Sequence, residues 1–162
     1  MRFFITAIAA LGLLHGPATM AQAQEALGDF YLFERTDPDS GEDRSSITTL
    51  ADESYVSGAG GLTFRCSEEG FELVLTATYL GRKTSTPVGY AFGDEEPATS
   101  TWLLRSTGMA AVAPEDVREA FTSRAVDESS VAIRVSDFQM RAYTYTFHLN
   151  GLESALARLS CR

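Results

Sequence analysis

The sequence predicts a mainly β domain, an antiparallel β-sandwich or barrel-like sheet with two short helices, one of them C-terminal. Three observations predict it. Apolar and polar residues alternate over short runs, the period of a half-buried strand. About eight such runs recur at spacings of roughly 10–15 residues, separated by Gly, Pro and acidic turns, as in sandwiches and barrels. Strands do not alternate with helical stretches, so βαβ units and a parallel sheet are not expected.

The elements follow in chain order. Asp29–Glu34 is aromatic-rich and bounded by Gly28 and Asp37-Pro38, which reads as a strand. Ser46–Leu50 is a weaker strand, and Ser57–Gly61 a Gly-rich connector. Leu62–Cys66 alternates cleanly, Ser67–Gly70 has the length of a hairpin turn, and Phe71–Leu80 is expected to be the longest strand. Val88–Phe92, Thr101–Ser106 and Gly108–Val112 continue the pattern, with Gly93–Thr99 an acidic loop between the first two. The period changes at Pro114. Pro, Glu115 and Asp116 open a helix over Pro114–Phe121, because negative charge is favoured at the positive end of the helix dipole. Strands return at Ser130–Val135 and Ala142–Leu149. Asn150-Gly151 stops the last one, and Leu152, Leu156 and Leu159 then fall near helical spacing over Gly151–Ser160.

The chain has 162 residues, 13 Lys+Arg against 22 Asp+Glu, and a formal net charge of -9. That length fits one domain. The acidic balance makes the chain a poor candidate for binding nucleic acid or an anionic membrane surface. The N-terminus carries an address: Met1-Arg2, an apolar run over Phe3–Leu14, a polar stretch, and Ala21-Gln22-Ala23 as a small-x-small cleavage site. The apolar run is about 12 residues where a membrane span needs about 20. Residues 1–23 are therefore read as a signal peptide and 24–162 as a single β-rich domain, periplasmic or secreted, with no membrane span after cleavage.

Export decides how the two cysteines are read. In an oxidising compartment Cys66 and Cys161 form a disulfide, and two cysteines allow only one connectivity. No C-x-x-C spacing supports a reactive pair.

Little in the sequence suggests catalysis. His148, the one histidine after position 23, falls on the polar face of its strand, without a recognisable nucleophile or G-x-S-x-G motif. Asp37–Asp43 superficially suggests calcium, but counted from Asp37 an EF-hand register would put Gly41 at position five and Thr48 at position twelve. No cofactor, metal site or enzymatic activity is expected. Trp102 is read as a core anchor, though Thr101 and Leu103 on either side leave its direction open, and an exposed Trp would mark a binding surface.

One resemblance adds to this reading. Leu62-x-x-Arg65-Cys66, a long strand, Val88-x-Tyr90-x-Phe92, and Trp102 with Ser106 four residues on are followed by Phe147-x-Leu149-x-Gly151-Leu152-x-x-Ala155-Leu156-x-x-Leu159-x-Cys161. Over about residues 60–161 this resembles the VasI family, exported accessory proteins associated with type VI secretion systems. Ala91 stands where that family is expected to carry a basic residue. The resemblance implies an envelope accessory protein that acts on a protein partner, such as a secretion apparatus, without catalysis. It also implies pairing of Cys66 with Cys161, and structural or binding roles for Trp102, Arg65 and Gly151. The alternative is a small periplasmic inhibitor or ligand-binding β-domain, for example against a cell-wall hydrolase, using the acidic Gly93–Thr99 loop.

Overall fold

The computed structural model describes residues 25–52 and 60–162. The expected signal peptide and the Ser57–Ala59 part of the connector lie outside the described residues. The described elements are β1 (Glu25–Leu27), β2 (Phe30–Phe33), β3 (Ser46–Leu50), β4 (Gly61–Ser67), β5 (Gly70–Thr76), β6 (Ser85–Phe92), β7 (Ala98–Leu104), β8 (Ala110–Val112), α1 (Glu115–Ser123), β9 (Ser130–Ser136), β10 (Ala142–His148) and α2 (Leu152–Leu156).

The strands form one ten-stranded sheet in the order β1-β2-β3-β4-β5-β8-β7-β6-β9-β10. Every pairing in it is antiparallel. The mainly β class and the C-terminal helix are as the sequence predicts. The sheet is not closed. The edge strand β10 approaches the end of β3 at an isolated bridge, Ala51 to Phe147, reinforced by the Asp52 N–H donating to Thr146 O at 3.0 Å.

Alternation sets the core. Phe30 and Leu32, Leu62 and Phe64, Leu73 and Leu75, Val131 and Ile133, and Tyr145 and Phe147 all point inward and are fully buried or nearly so. α1 begins after Pro114, which has extended backbone, and carries Glu115 and Asp116 in its first turn. Its buried stripe, Val117 and Phe121, packs on the sheet. Phe121 meets Phe92 edge-on with ring centroids 4.8 Å apart, and Phe64 at 6.4 Å. Fully burying one such ring contributes about 1.5–3 kcal/mol.

Several boundaries differ from the sequence reading. The expected longest strand stops at Thr76 and not at Leu80, so the longest strand is β6, with 8 residues. The ladder breaks because Thr78 N–H turns away to the Tyr145 hydroxyl at 3.0 Å, while Ala77 and Leu80 bond the 108–109 loop. Strand β7 begins at Ala98, inside the expected acidic loop. α2 spans only 5 residues. Beyond it, Arg158 N–H reaches Ala155 O and Leu159 N–H reaches Leu156 O, tighter turns that swing the chain toward Cys66. Strand β1 was not expected. It pairs with β2 across the two-residue connection Gly28-Asp29, where Gly28 has φ +64°.

Candidate functional site

The alternation that buries the core also builds an outer face. Residues directly opposite one another on neighbouring strands point the same way. Phe33 lies opposite Ser46, Ser46 opposite Arg65, and Arg65 opposite Glu72, one row across β2, β3, β4 and β5. A second row runs Tyr31, Thr48, Thr63, Val74, Val112 and Leu103. Thr48 and Thr63 share a 2.8 Å hydroxyl bond within it. Tyr31 and Phe33 are each 39% exposed and Leu103 65%, so large apolar side chains face water beside these polar ones.

At the end of the first row the surface sinks into an open groove of about 790 Å³, lined by Phe33, by Arg35, Arg44, Arg65 and Arg105, and by the acids Asp37, Glu68 and Glu69. Glu72 organises two of the arginines. Its carboxylate is buried, accepts from Arg65 Nε at 2.8 Å and from Arg65 Nη2 at 2.6 Å, and pairs with Arg105 on its other oxygen. A buried carboxylate needs such partners, since an unpaired one costs several kcal/mol or more. Both guanidinium groups keep part of their surface toward the groove. Arg44 is held by Glu42 at 2.8 Å, while Arg35 is exposed and has no ion pair among the described residues. The groove therefore sets guanidinium groups among carboxylates, with Glu68 3.6 Å from Arg44 and Glu69 3.6 Å from Arg105, and leaves Arg35 as its unpaired arginine among the described residues. Guanidinium forks suit carboxylate and phosphate oxygens.

The disulfide forms one wall. Cys66 and Cys161 are bonded, with Cα atoms 5.6 Å apart and a sequence separation of 95. Cys66 lines the groove. Asp43 fastens the tail here: it accepts from Ser160 N–H at 3.0 Å, Ser160 Oγ–H at 2.8 Å and Ser45 N–H at 2.7 Å. Burial alone would raise the Asp43 pKa, but the bonds from Ser45 and Ser160 outweigh it and bring the value from 3.8 to about 2. A folded pKa below the unfolded one means that this stabilisation is complete above the ordinary carboxylate range. It is lost as pH falls through the folded value. Melting temperature should thus fall between about pH 4 and pH 2, and less steeply in Asp43→Asn, which thermal melts across that range would check. Equal slopes would show that Asp43 does not hold the tail.

Apart from the 37–43 loop, which borders the groove through Asp37, the other residues singled out in the sequence lie elsewhere. Trp102 is inward on β7 and 0% exposed. Gly151 (φ +86°) precedes α2, where a Cβ would come within 2.7 Å of Leu27 O. The Asn150 backbone meets Asp29 just beside it, so Gly151 serves the close passage of two chain segments. His148 is exposed, with Nε2 3.2 Å from Asp52 Oδ1. In the 37–43 loop, Asp37 Oδ1 accepts the N–H groups of Asp39 and Ser40, and Arg44 bonds Glu42. Glu95 of the acidic 93–97 turn pairs with Arg124. Among the described residues no group of three or more His, Cys, Asp or Glu could hold a metal ion. Nor is any helix there long and apolar enough to cross a membrane. Of the sequence candidates, Arg65, the disulfide and Asp37 of the acidic loop meet at the groove. Arg35, Arg44, Arg105 and Glu72 were missed, although Arg65 and Glu72 lie symmetrically about the Ser67–Gly70 turn, a spacing from which their pairing was readable.

Fold and site together define a disulfide-closed β domain with an arginine-bearing outer face. Among solved structures the chain is similar to invasion associated protein B from Bartonella henselae, with a TM-score of 0.57 and 12% identity, covering 84% of this chain and 94% of that one. At that identity the likeness is one of fold. No family model and no curated protein matches the sequence.

Proposed function

We propose that the protein is exported, processed after Ala23, and works in the cell envelope as a non-enzymatic accessory protein of the kind the VasI resemblance implies. It binds a protein partner through the outer face of β2–β5. The observation that carries this reading is the row of Phe33, Ser46, Arg65 and Glu72 ending in the arginine-lined groove. Exposed Tyr and Phe beside partly desolvated Arg is the composition of binding hot spots. A partner fitting it carries acidic groups next to an apolar anchor.

The test is in-cell crosslinking from a photoreactive residue at Ser46, with captured proteins identified by mass spectrometry. Components of a secretion apparatus should be recovered, and Phe33→Ser with Arg35→Glu should reduce their yield about tenfold or more, the loss of one or two hot-spot contacts. Unchanged capture in that variant overturns the assignment of the face. Recovery of a cell-wall hydrolase with no apparatus component replaces the accessory reading with that of an inhibitor.

A further inference from the structure

A second surface lies on the loops at 77–84, 105–109 and 137–141. These loops are gathered by backbone bonds: Ala77 N–H donates to Met109 O at 2.9 Å and Leu80 N–H to Gly108 O at 2.7 Å. Tyr79 packs on Phe138 with ring centroids 5.4 Å apart, and a Cβ on Gly81 would lie 3.7 Å from Phe138 Cβ. From this base three large apolar side chains reach into water: Met109 is 48% exposed, Phe138 57% and Met140 74%. Met140 has φ +65°, a left-handed conformation that disfavours a long side chain and that Gly or Asn would adopt more easily. An exposed methionine is thus kept where both solubility and backbone preference argue against it.

Charge at this tip opposes that of the whole chain. Arg82 and Lys83 follow directly on Gly81, both exposed, and neither has an ion pair among the described residues. The sequence has no Asp or Glu from Leu73 to Gly93 or from Pro97 to Pro114. The one carboxylate of the three loops, Asp137, is buried and spent on Arg141, Tyr143 and the N–H groups of Gln139 and Arg141. The net charge of -9 therefore lies elsewhere, and the tip is locally cationic.

We infer that this tip docks the protein on an anionic phospholipid surface, with Phe138, Met140 and Met109 entering the headgroup boundary and Arg82 and Lys83 meeting lipid phosphates. The chemistry is that of interfacial anchoring, apolar side chains ringed by cations without a membrane-crossing segment. The hydrogen bonds fix the loops beforehand, so little order is lost on docking. Binding is reversible, weakens with salt, and leaves the outer face of β2–β5 free for a partner.

The test is sedimentation of the disulfide-bonded protein, purified from exporting cells, with vesicles of phosphatidylglycerol and phosphatidylethanolamine, and separately of phosphatidylcholine alone. The anionic vesicles should carry the protein down at low salt and release it at high salt, and phosphatidylcholine should not. Arg82→Glu with Lys83→Glu should lower partitioning by roughly fivefold or more per charge. Phe138→Ser with Met140→Ser should abolish it. All these side chains are exposed, so unaltered melting temperatures verify folding. Absence of binding to anionic vesicles, or binding that the tip variants leave intact, overturns the inference. Capture of an acidic protein through these residues without vesicle binding assigns the tip to a protein partner instead.

Discussion

Cys66→Ser should lower the melting temperature by on the order of 15 °C. The disulfide closes a loop whose ends are separated by 95 in sequence, and the chain-entropy account puts the stabilisation from such a loop at roughly 4–5 kcal/mol. Domains of this size are stable by only about 5–15 kcal/mol in total. The structural consequence is local as well as global. Leu152, Leu156 and Leu159 are buried in the core, and the turn after α2 is held against β4 by Cys161 and by Ser160 on Asp43. Without the bond, the tail should fray from Ser160 backward and open one wall of the arginine groove. Thermal melts of Cys66→Ser and of the double variant Cys66→Ser/Cys161→Ser should agree closely, since the loss lies in the link and not in a stray thiol. An unchanged melt in both would mean that burial of the three leucines holds the C-terminal end by itself. Alkylation before and after reduction, read by mass, should find thiols only after reduction.

How much of this was legible beforehand follows from what kind of interaction shaped each part. Strands governed by burial on one face were readable, because alternation is a direct imprint of the pleat. Ser46–Leu50 has the expected bounds, and Ser130–Val135 and Ala142–Leu149 each differ by one residue. Boundaries set by a partner distant in sequence were not. Nothing local to Thr78 shows that its N–H will bond Tyr145 Oη and end the strand. Likewise the length of α2 is fixed by the reach to Cys66, which overrides a leucine spacing that would carry a longer helix. β1 carried a signal that alternation could not reveal in three residues, the Gly28-Asp29 pair of a two-residue hairpin connection. The site divides the same way. The disulfide was legible from the expected compartment and from there being two cysteines, and the bond is present. The arginine groove arises where β2, β4 and the end of β7 meet, and only the Arg65–Glu72 pair across one hairpin lay within reach of the sequence. Net charge was the least informative guide, since it averages over a groove where arginines and carboxylates interleave and over a cationic tip without free acids of its own.

Trp102→Ala should cost about 3–5 kcal/mol, the usual loss for removing a fully buried Trp, whereas Trp102→Phe should stay within about 1 kcal/mol of the natural protein. The difference rests on one atom. Trp102 lies opposite Thr86 with 0% of its surface exposed, and its indole Nε1–H is buried without a hydrogen-bond partner among the described residues. An orphaned donor of this kind costs about 1–3 kcal/mol. Phe removes that penalty while keeping most of the ring, so the lost volume and the relieved donor offset one another. Ala removes the ring as well and leaves a cavity between β7 and the core. Urea unfolding followed by far-UV circular dichroism would measure both variants against the natural protein. A loss for Phe as large as that for Ala would mean that the indole N–H is satisfied in solution and contributes to stability. The same pair separates packing from recognition. Leu103, the neighbour of Trp102 in the chain, is exposed on the outer face, while Trp102 itself supports that face from beneath. Trp102→Phe should therefore leave crosslinking from Ser46 at its natural level, whereas an indole that engaged the partner directly would lose capture in the Phe variant without losing the fold.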